Sequence, residues 1–466
     1  MGIVAQMVNR MRGVSEPQRK FMITLVMTMY VTRGKLTYTN MSRYSGYSER
    51  TIRRQSGKEF DFVKLNQEIV AEGYGKRKGR KIAAIDTSFI AKSGKKTEGL
   101  DQFWNGSAGR AERGLEITTL CVVEVETKLT FAVATEATPA GLTAERAKPK
   151  KDKVGIPKGK VKASQAKPRG RASKLKAESP RAEVVQVGLQ TRSEAGLPPL
   201  PPPATTLKPP AETTRVDWYA AFAVKHQPHL PPEVAYLVGD GYFAKSKFVV
   251  AVRATELHLI SKLHASPDLQ YVNTKPYPGH GRPAKYDGKV SFSDLSRFDH
   301  VAELEPGLDL YTQVVYWMTY PEHKIRVALL VDRRTPGKIG HLVLFSTDVD
   351  LPALDILHFY QARFQIEFLF RDAKQFTGLT HCQSRNSARL TFHFNASLSA
   401  VNLAKLDCWL AHDLSSPFVF SLDDYKRKAF NHFWLNLIFL NLDLDPEVLK
   451  THPNFEALHQ FGLIAA

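Results

Sequence analysis

The chain has 466 residues, 43% of them hydrophobic and 24% charged, enough apolar content to bury a sizeable core over two or three domains and too much for global disorder. Its 65 Lys and Arg against 46 Asp and Glu leave a formal charge of +19, which points to a polyanionic partner, nucleic acid or an anionic membrane surface, rather than to a neutral metabolite. No apolar run approaches the roughly 18 residues of a spanning helix, residues 1–12 lack the apolar stretch of a secretory signal, and Cys121, Cys382 and Cys408 give neither a disulfide framework nor a CxxC zinc knuckle, so a cytoplasmic protein outside the membrane is expected.

Residues 1–75 carry apolar side chains at helical spacing and are expected to form a helical domain. Within it, residues 36–55 read as a helix, a turn at Gly46 and a second helix capped by Ser48, with Ile52 facing inward and Arg50, Thr51, Arg53 and Arg54 outward. That is the layout of a DNA-binding helix-turn-helix whose second helix enters the major groove; an ordinary helical hairpin with a solvated basic face has the same pattern. A basic connector, 75–81, follows. Strand-like runs occupy 82–86, 115–125 and 129–137, the last two around a turn at 126–128. Residues 141–210 then hold no aromatic residue, 11 of the 27 prolines, and 16 Lys and Arg against 5 Asp and Glu. Such a segment cannot nucleate a core and reads as a disordered, cationic insertion ending in a polyproline stretch. It carries +11 (16 minus 5), so the rest of the chain keeps +8 (19 minus 11).

Beyond the insertion come a helix at 216–226, a buried strand at 235–240, a helix at 245–257 and a β-rich segment, 258–346. One long helix is expected from Pro352, placed in a first turn that needs no N–H, to about Gln375, and further helices run to about 445. Strands and helices alternate as in a mixed α/β sheet.

Three acids fall where chemistry would gather them: Asp86 after the apolar run 82–85, Asp240 after 236–239, and Glu367 in the long helix. Carboxyl ends of strands in an open sheet converge on a crevice, although a single strand-end aspartate is commonly a turn or cap residue. On the long helix, Tyr360, Arg363, Glu367 and Lys374 stand at offsets 0, 3, 7 and 14, within roughly 60° of one another at 100° per residue, with Arg371 close to the stripe. A carboxylate flanked by cations suits a metal ligand whose neighbours grip phosphates. The plainer alternative is a solvated face with an Arg363–Glu367 ion pair. The other face, Phe364, Ile366, Phe368, Leu369 and Phe370, is expected to be packed.

The stripe Tyr360-x2-Arg363-x3-Glu367-x6-Lys374 matches the YREK signature of the bacterial DDE transposases called the fourth insertion-sequence family. Asp86-Thr87-Ser88 resembles that family's first aspartate motif and Asp240-Gly241-Tyr242-Phe243 its second, and the resemblance spans residues 81–405. It implies an α/β fold: an RNase H-like catalytic core (76–405) with a β-rich insertion (258–346) between Asp240 and Glu367, an N-terminal helical DNA-binding domain (1–75), and C-terminal helices (406–466) suited to dimerisation. It further implies that Asp86, Asp240 and Glu367 are catalytic residues holding two Mg2+ ions, with Mn2+ as a substitute. Tyr360, Arg363 and Lys374 would contact phosphates near the cleaved end, with Arg371 beside them. Cleavage through a hairpin intermediate and joining to target DNA would follow, carried out by a homodimer on double-stranded DNA bearing terminal inverted repeats. Relatives stack a flipped base on an aromatic ring, which makes Trp317 and Phe364 the candidates; Trp317 lies in a strand, where aromatics usually pack.

Outside the motif, a glycine-broken basic loop offers Arg282 and Lys285 to DNA. Lys92, Lys95, Lys96, Trp104 and Asn105 follow the first aspartate, and Arg385 and Arg389 follow the long helix. The competing readings are a catalytically silent DNA-binding derivative and another RNase H-like nuclease that cuts without joining.

Overall fold

The computed structural model describes residues 2–75, 79–143, 213–277, 279–413 and 415–464. Its first helices are α1 (Gly2–Arg10), α2 (Glu16–Val31), α3 (Tyr38–Met41), α4 (Glu49–Gln55) and α5 (Phe62–Tyr74). The turn between α3 and α4 passes through Gly46 at φ +66°, and Ser48 caps α4 by accepting a bond from the Thr51 N–H, as its residue type favours. These helices share one compact unit with the sheet. The Tyr74 hydroxyl donates to the Val122 and Leu129 carbonyls, and the Trp409 indole donates to Gly73 O.

The central strand β1 (Lys81–Ala91) is buried through Ile85. It is flanked on both sides, antiparallel by β3 (Arg110–Glu124) and parallel by β5 (Tyr236–Val238), which is why its first half reads as an unbroken apolar run. β2 (Asp101–Asn105) and β4 (Thr130–Ala137) also pair with β3. After α6 (Arg215–His226), started by a Thr214–Asp217 capping box, β5 is followed by α7 (Ser246–Arg253) and β6 (His258–Lys262), parallel to β5.

The β-rich segment extends this same sheet. It supplies β7 (Leu269–Val272), β8 (Tyr286–Lys289), β9 (Asp299–Glu305), β10 (Leu308–Trp317), β11 (Tyr320–Asp332) and β12 (Gly340–Ser346). β12 joins it antiparallel to β6, and the order is β2-β3-β1-β5-β6-β12-β11-β10-β7-β8, with β4 on β3 and β9 on β10.

The expected single helix from 352 to 375 is two: α8 (Ala353–Ala362) and α9 (Gln365–Gln375). At the joint, Phe364, Ile366 and Glu367 each donate to the carbonyl three residues back. The chain tightens there to a 3-10 turn, and helix-wheel arithmetic does not carry across it. α10 (Ser387–Leu410) is buried almost all round and spans the expected boundary at 405; α11 (Leu422–Asn441), α12 (Pro446–Lys450) and α13 (Phe455–His459) follow. α6 packs on one sheet face, where the Tyr219 hydroxyl bonds Glu116; α9 and α10 pack on the other.

Among the described residues no helix is long and apolar enough to cross a membrane. Residues 76–78 of the basic connector and 144–212 of the cationic insertion lie outside the described residues. The borders of the insertion meet: Thr143 and Thr214 form a parallel bridge, and the Arg215 N–H donates to Thr143 O at 3.1 Å.

Candidate active site

The register of two parallel strands places the aspartates. Ala84 of β1 pairs with Val238 of β5; Asp86 and Asp240 each stand two residues beyond that pair, and the Asp240 charge acts on Asp86. Asp86 is mid-strand, not at a strand end, because pairing with β3 carries β1 on to Ala91. β5 stops at Val238; Asp240 opens a 3-10 turn and its carboxylate accepts the Tyr242 N–H at 2.9 Å. Gly239 is required here, since a Cβ would stand 2.8 Å from the Phe243 ring. Ser261 of β6 fixes the turn from the next strand, its hydroxyl donating to Asp240 O at 2.6 Å; no sequence pattern marks Ser261, because only the β5–β6 pairing brings it there.

Arg363 binds the acids together. It is 4% exposed, with Nη2 2.9 Å from Glu367 Oε1 and Nη1 3.6 Å from Asp86 Oδ2. Its guanidinium carbon lies 4.8 Å from the Phe364 ring centre and 5.5 Å from that of Tyr360, and its Nε is buried with no hydrogen-bond partner. Burial, then the Asp240 carboxylate, push the Asp86 carboxyl up to about 7, against the pull of Arg363. Burial also raises Asp240 and Tyr360 and lowers Lys374, whose ammonium senses the Asp86 charge. Asp86, Asp240, Glu367, Tyr360, Arg363 and Lys374 thus form one electrostatic cluster.

Among the described residues no three His, Cys, Asp or Glu side chains are grouped to hold a metal ion. Glu367 pairs with Arg363, which also faces Asp86, and its charge acts on both Asp86 and Asp240. The donors nevertheless fit a hard divalent cation: all are carboxylates, and the rise at Asp86 reflects negative charge that burial and a neighbouring acid leave undercompensated.

Other expected positions separate from this cluster. Arg371 pairs with Asp372 at 3.0 Å and lies over the Phe368 ring. The helix face expected to be packed is split, with Ile366, Leu369 and Phe370 buried and Phe364 and Phe368 exposed at 46% and 44%. Trp317 is 2% exposed against Phe345, 5.2 Å between ring centres, so it offers no surface to a base: its strand alternation points it inward. Phe364 remains open beside the cluster. Arg282 and Lys285 are exposed by β8, at the opposite end of the sheet order from β2, and Lys285 lies over Tyr316. On α4, Ile52 is buried and Arg50, Arg53 and Arg54 are exposed, Thr51 less so. Arg53 is engaged by Glu49, and Arg389 of α10 bonds the Arg53 carbonyl.

Residues 223–403 match the family model described as transposase DDE domain. The match supports a DDE transposase. It holds Asp240, Glu367 and the whole Tyr360–Lys374 stripe, while Asp86 precedes it and joins only through the sheet. A mixed α/β chain built on one large sheet is consistent with the RNase H-like core of such an enzyme. No curated protein matches the chain.

Proposed function

We propose that this chain is a cut-and-paste DNA transposase of the YREK type, with Asp86, Asp240 and Glu367 as its catalytic acids. The observation that supports the reading is the parallel β1–β5 pairing, two residues beyond which Asp86 and Asp240 stand, together with Arg363, which faces both Asp86 and Glu367. The three carboxylates would hold two Mg2+ ions, whose chemistry is to activate a water or 3′-hydroxyl and to stabilise the leaving oxygen. Asp86 would have to be deprotonated to hold such an ion. Arg363, released from Glu367, turns its guanidinium to a phosphate beside the scissile bond, where bidentate contact fixes the strand. Lys374 and Tyr360 hold the neighbouring phosphates, and such positioning supplies much of what phosphodiester attack requires. The exposed arginines of α4 enter a major groove of the element end, and two chains act on the paired ends.

The test uses the DNA flanking the gene: candidate terminal repeats are labelled, incubated with protein and Mg2+, and run on denaturing gels for wild type and Glu367→Gln. Cleavage with a hairpin product in wild type, and loss of at least about a hundredfold in Glu367→Gln with end binding retained, is expected. End binding with no cutting by either protein would favour a silent DNA-binding derivative. Cutting without joining to target DNA would favour a plain nuclease.

A further inference from the structure

β2 and the first residues of β3 form a hairpin that runs past the end of β1. Gln102 pairs with Arg113 and Trp104 with Ala111, and the β1–β3 register is unbroken from Asp86–Thr119 to Ala91–Gly114. Counting by twos down β3 from Thr119 reaches Arg113 and Ala111. Side chains directly opposite share a face, so Arg113, Ala111, Gln102 and Trp104 stand on the sheet face that carries Asp86. The reverse face of the hairpin is closed: Phe103 is buried beneath the Arg215 guanidinium, 4.7 Å from its ring centre.

On the open face Trp104 is 61% exposed, more than any other tryptophan among the described residues. Arg113 beside it is exposed and makes no ion pair with the described residues, and Lys95 and Lys96 are exposed in the β1–β2 loop. Both borders of the cationic insertion are anchored to β2 itself. The Gly141 N–H donates to Asp101 Oδ2 at 3.0 Å, and Arg215 bonds Gln102 O and pairs with Asp101. Gly141 and Arg215, on either side of the basic segment, therefore both meet this hairpin. Along β3, Thr119 and Ala111 are about 27 Å apart at ~3.4 Å per residue, the rise of about eight nucleotides of duplex.

We infer that the β2–β3 hairpin is a second DNA contact of the site, in which Trp104 stacks on an unpaired base and Arg113 takes a flanking phosphate of the strand whose reacting end lies at Asp86. The occupant is a polyanion because the exposed Arg113 stands beside Trp104, and Lys95 and Lys96 are exposed in the adjoining loop. It is unpaired there because an indole standing out from a strand needs an open base face, which duplex stacking hides. The inference rests on the reading of the carboxylate cluster as a DNA-cleaving site.

The test measures binding of full-length wild type, Trp104→Ala and Trp104→Phe to two labelled element ends by fluorescence anisotropy, with Ca2+ in place of Mg2+. One end is fully paired; the other carries unpaired nucleotides about eight positions from the cleavage point. Trp104→Ala should lose roughly 5- to 100-fold on the unpaired probe and little on the paired one, while Trp104→Phe keeps most of the affinity. Equal binding of the unpaired probe by wild type and Trp104→Ala would overturn the inference even if cleavage proceeds. A Trp104 effect on binding without cleavage by wild type would sink the transposase reading and leave the hairpin contact standing; wild type that binds neither probe would sink both.

Discussion

On the proposed reading Asp86 must be an anion to act, in a place where burial and Asp240 favour its acid form. Its carboxyl is pushed from 3.8 up to about 7 in the fold. Between those values the native state keeps a proton that the unfolded chain has lost, so this group's contribution to stability is fully present below about pH 4 and falls away as pH rises through 7. A divalent cation competes with that proton. The thermal shift produced by Mg2+ or Mn2+ should therefore be larger at pH 8 than at pH 6, as read by scanning fluorimetry. Asp86→Asn, neutral at both pH values, should melt no lower than wild type at pH 8 without metal, lose the metal-dependent shift, and cut no DNA. A shift equal at the two pH values, or retained by Asp86→Asn, would remove Asp86 from the ligands. Arg363 sharpens the same point: its guanidinium is the cation beside Asp86 and Glu367.

At the scale of elements, the site depends on how α10 holds the edge of the sheet. α10 is buried almost all round, so it docks partly through polar groups. Asn402 accepts from Ala132 N at 2.9 Å, donates to Ala132 O at 2.9 Å, and donates to Asn66 of α5 at 3.0 Å. One amide thus joins α5, α10 and β4. Asn402→Leu keeps the volume but removes both side-chain partners of the buried Ala132 N–H and C=O, at about 1–3 kcal/mol each, while Asn66 Oδ1 keeps the Ser399 hydroxyl. We expect a loss of about 2–4 kcal/mol in urea unfolding with the slope unchanged; a loss below 1 kcal/mol would mean that water replaces the amide. The elements also mark what was legible in the sequence. The apolar runs before Asp86 and Asp240, the Ser48 cap and the inward Ile52 each follow from a local rule. The joint at Arg363–Phe364 has no glycine or proline to announce it, and Phe364 and Phe368 are exposed because at 100° per residue both fall beside Arg371, away from the buried Ile366, Leu369 and Phe370. Ser261 and the Asn66–Asn402 pair owe their places to strand and helix partners far along the chain, which no spacing encodes.

For the whole molecule, the question is what an excursion of basic chain contributes to a fold that closes without it. The bridge between Thr143 and Thr214 and the Arg215 N–H to Thr143 O bond bring the borders together within the main compact unit. Residues 144–212 carry 16 basic and 6 acidic residues, +10 (16 minus 6), so their removal leaves +9 (19 minus 10) on the remainder. Because the bridge is parallel, the chain must reverse between its two sides, and a Gly/Ser linker of about ten residues gives the needed slack. A chain with 144–212 so replaced should melt within a few degrees of wild type and cleave saturating element ends at the wild-type rate. Its affinity should fall most at low salt, and the slope of log K against log salt should lessen by about 0.9 for each phosphate that the insertion neutralises. The comparison is a salt series of anisotropy titrations on paired ends, run beside cleavage at saturating DNA. An unchanged slope would mean that +10 of charge neutralises no phosphate. Loss of cleavage at saturation with an unchanged melting temperature would place the insertion in the chemistry itself, against the geometry that routes both its borders through β2 rather than through the carboxylates.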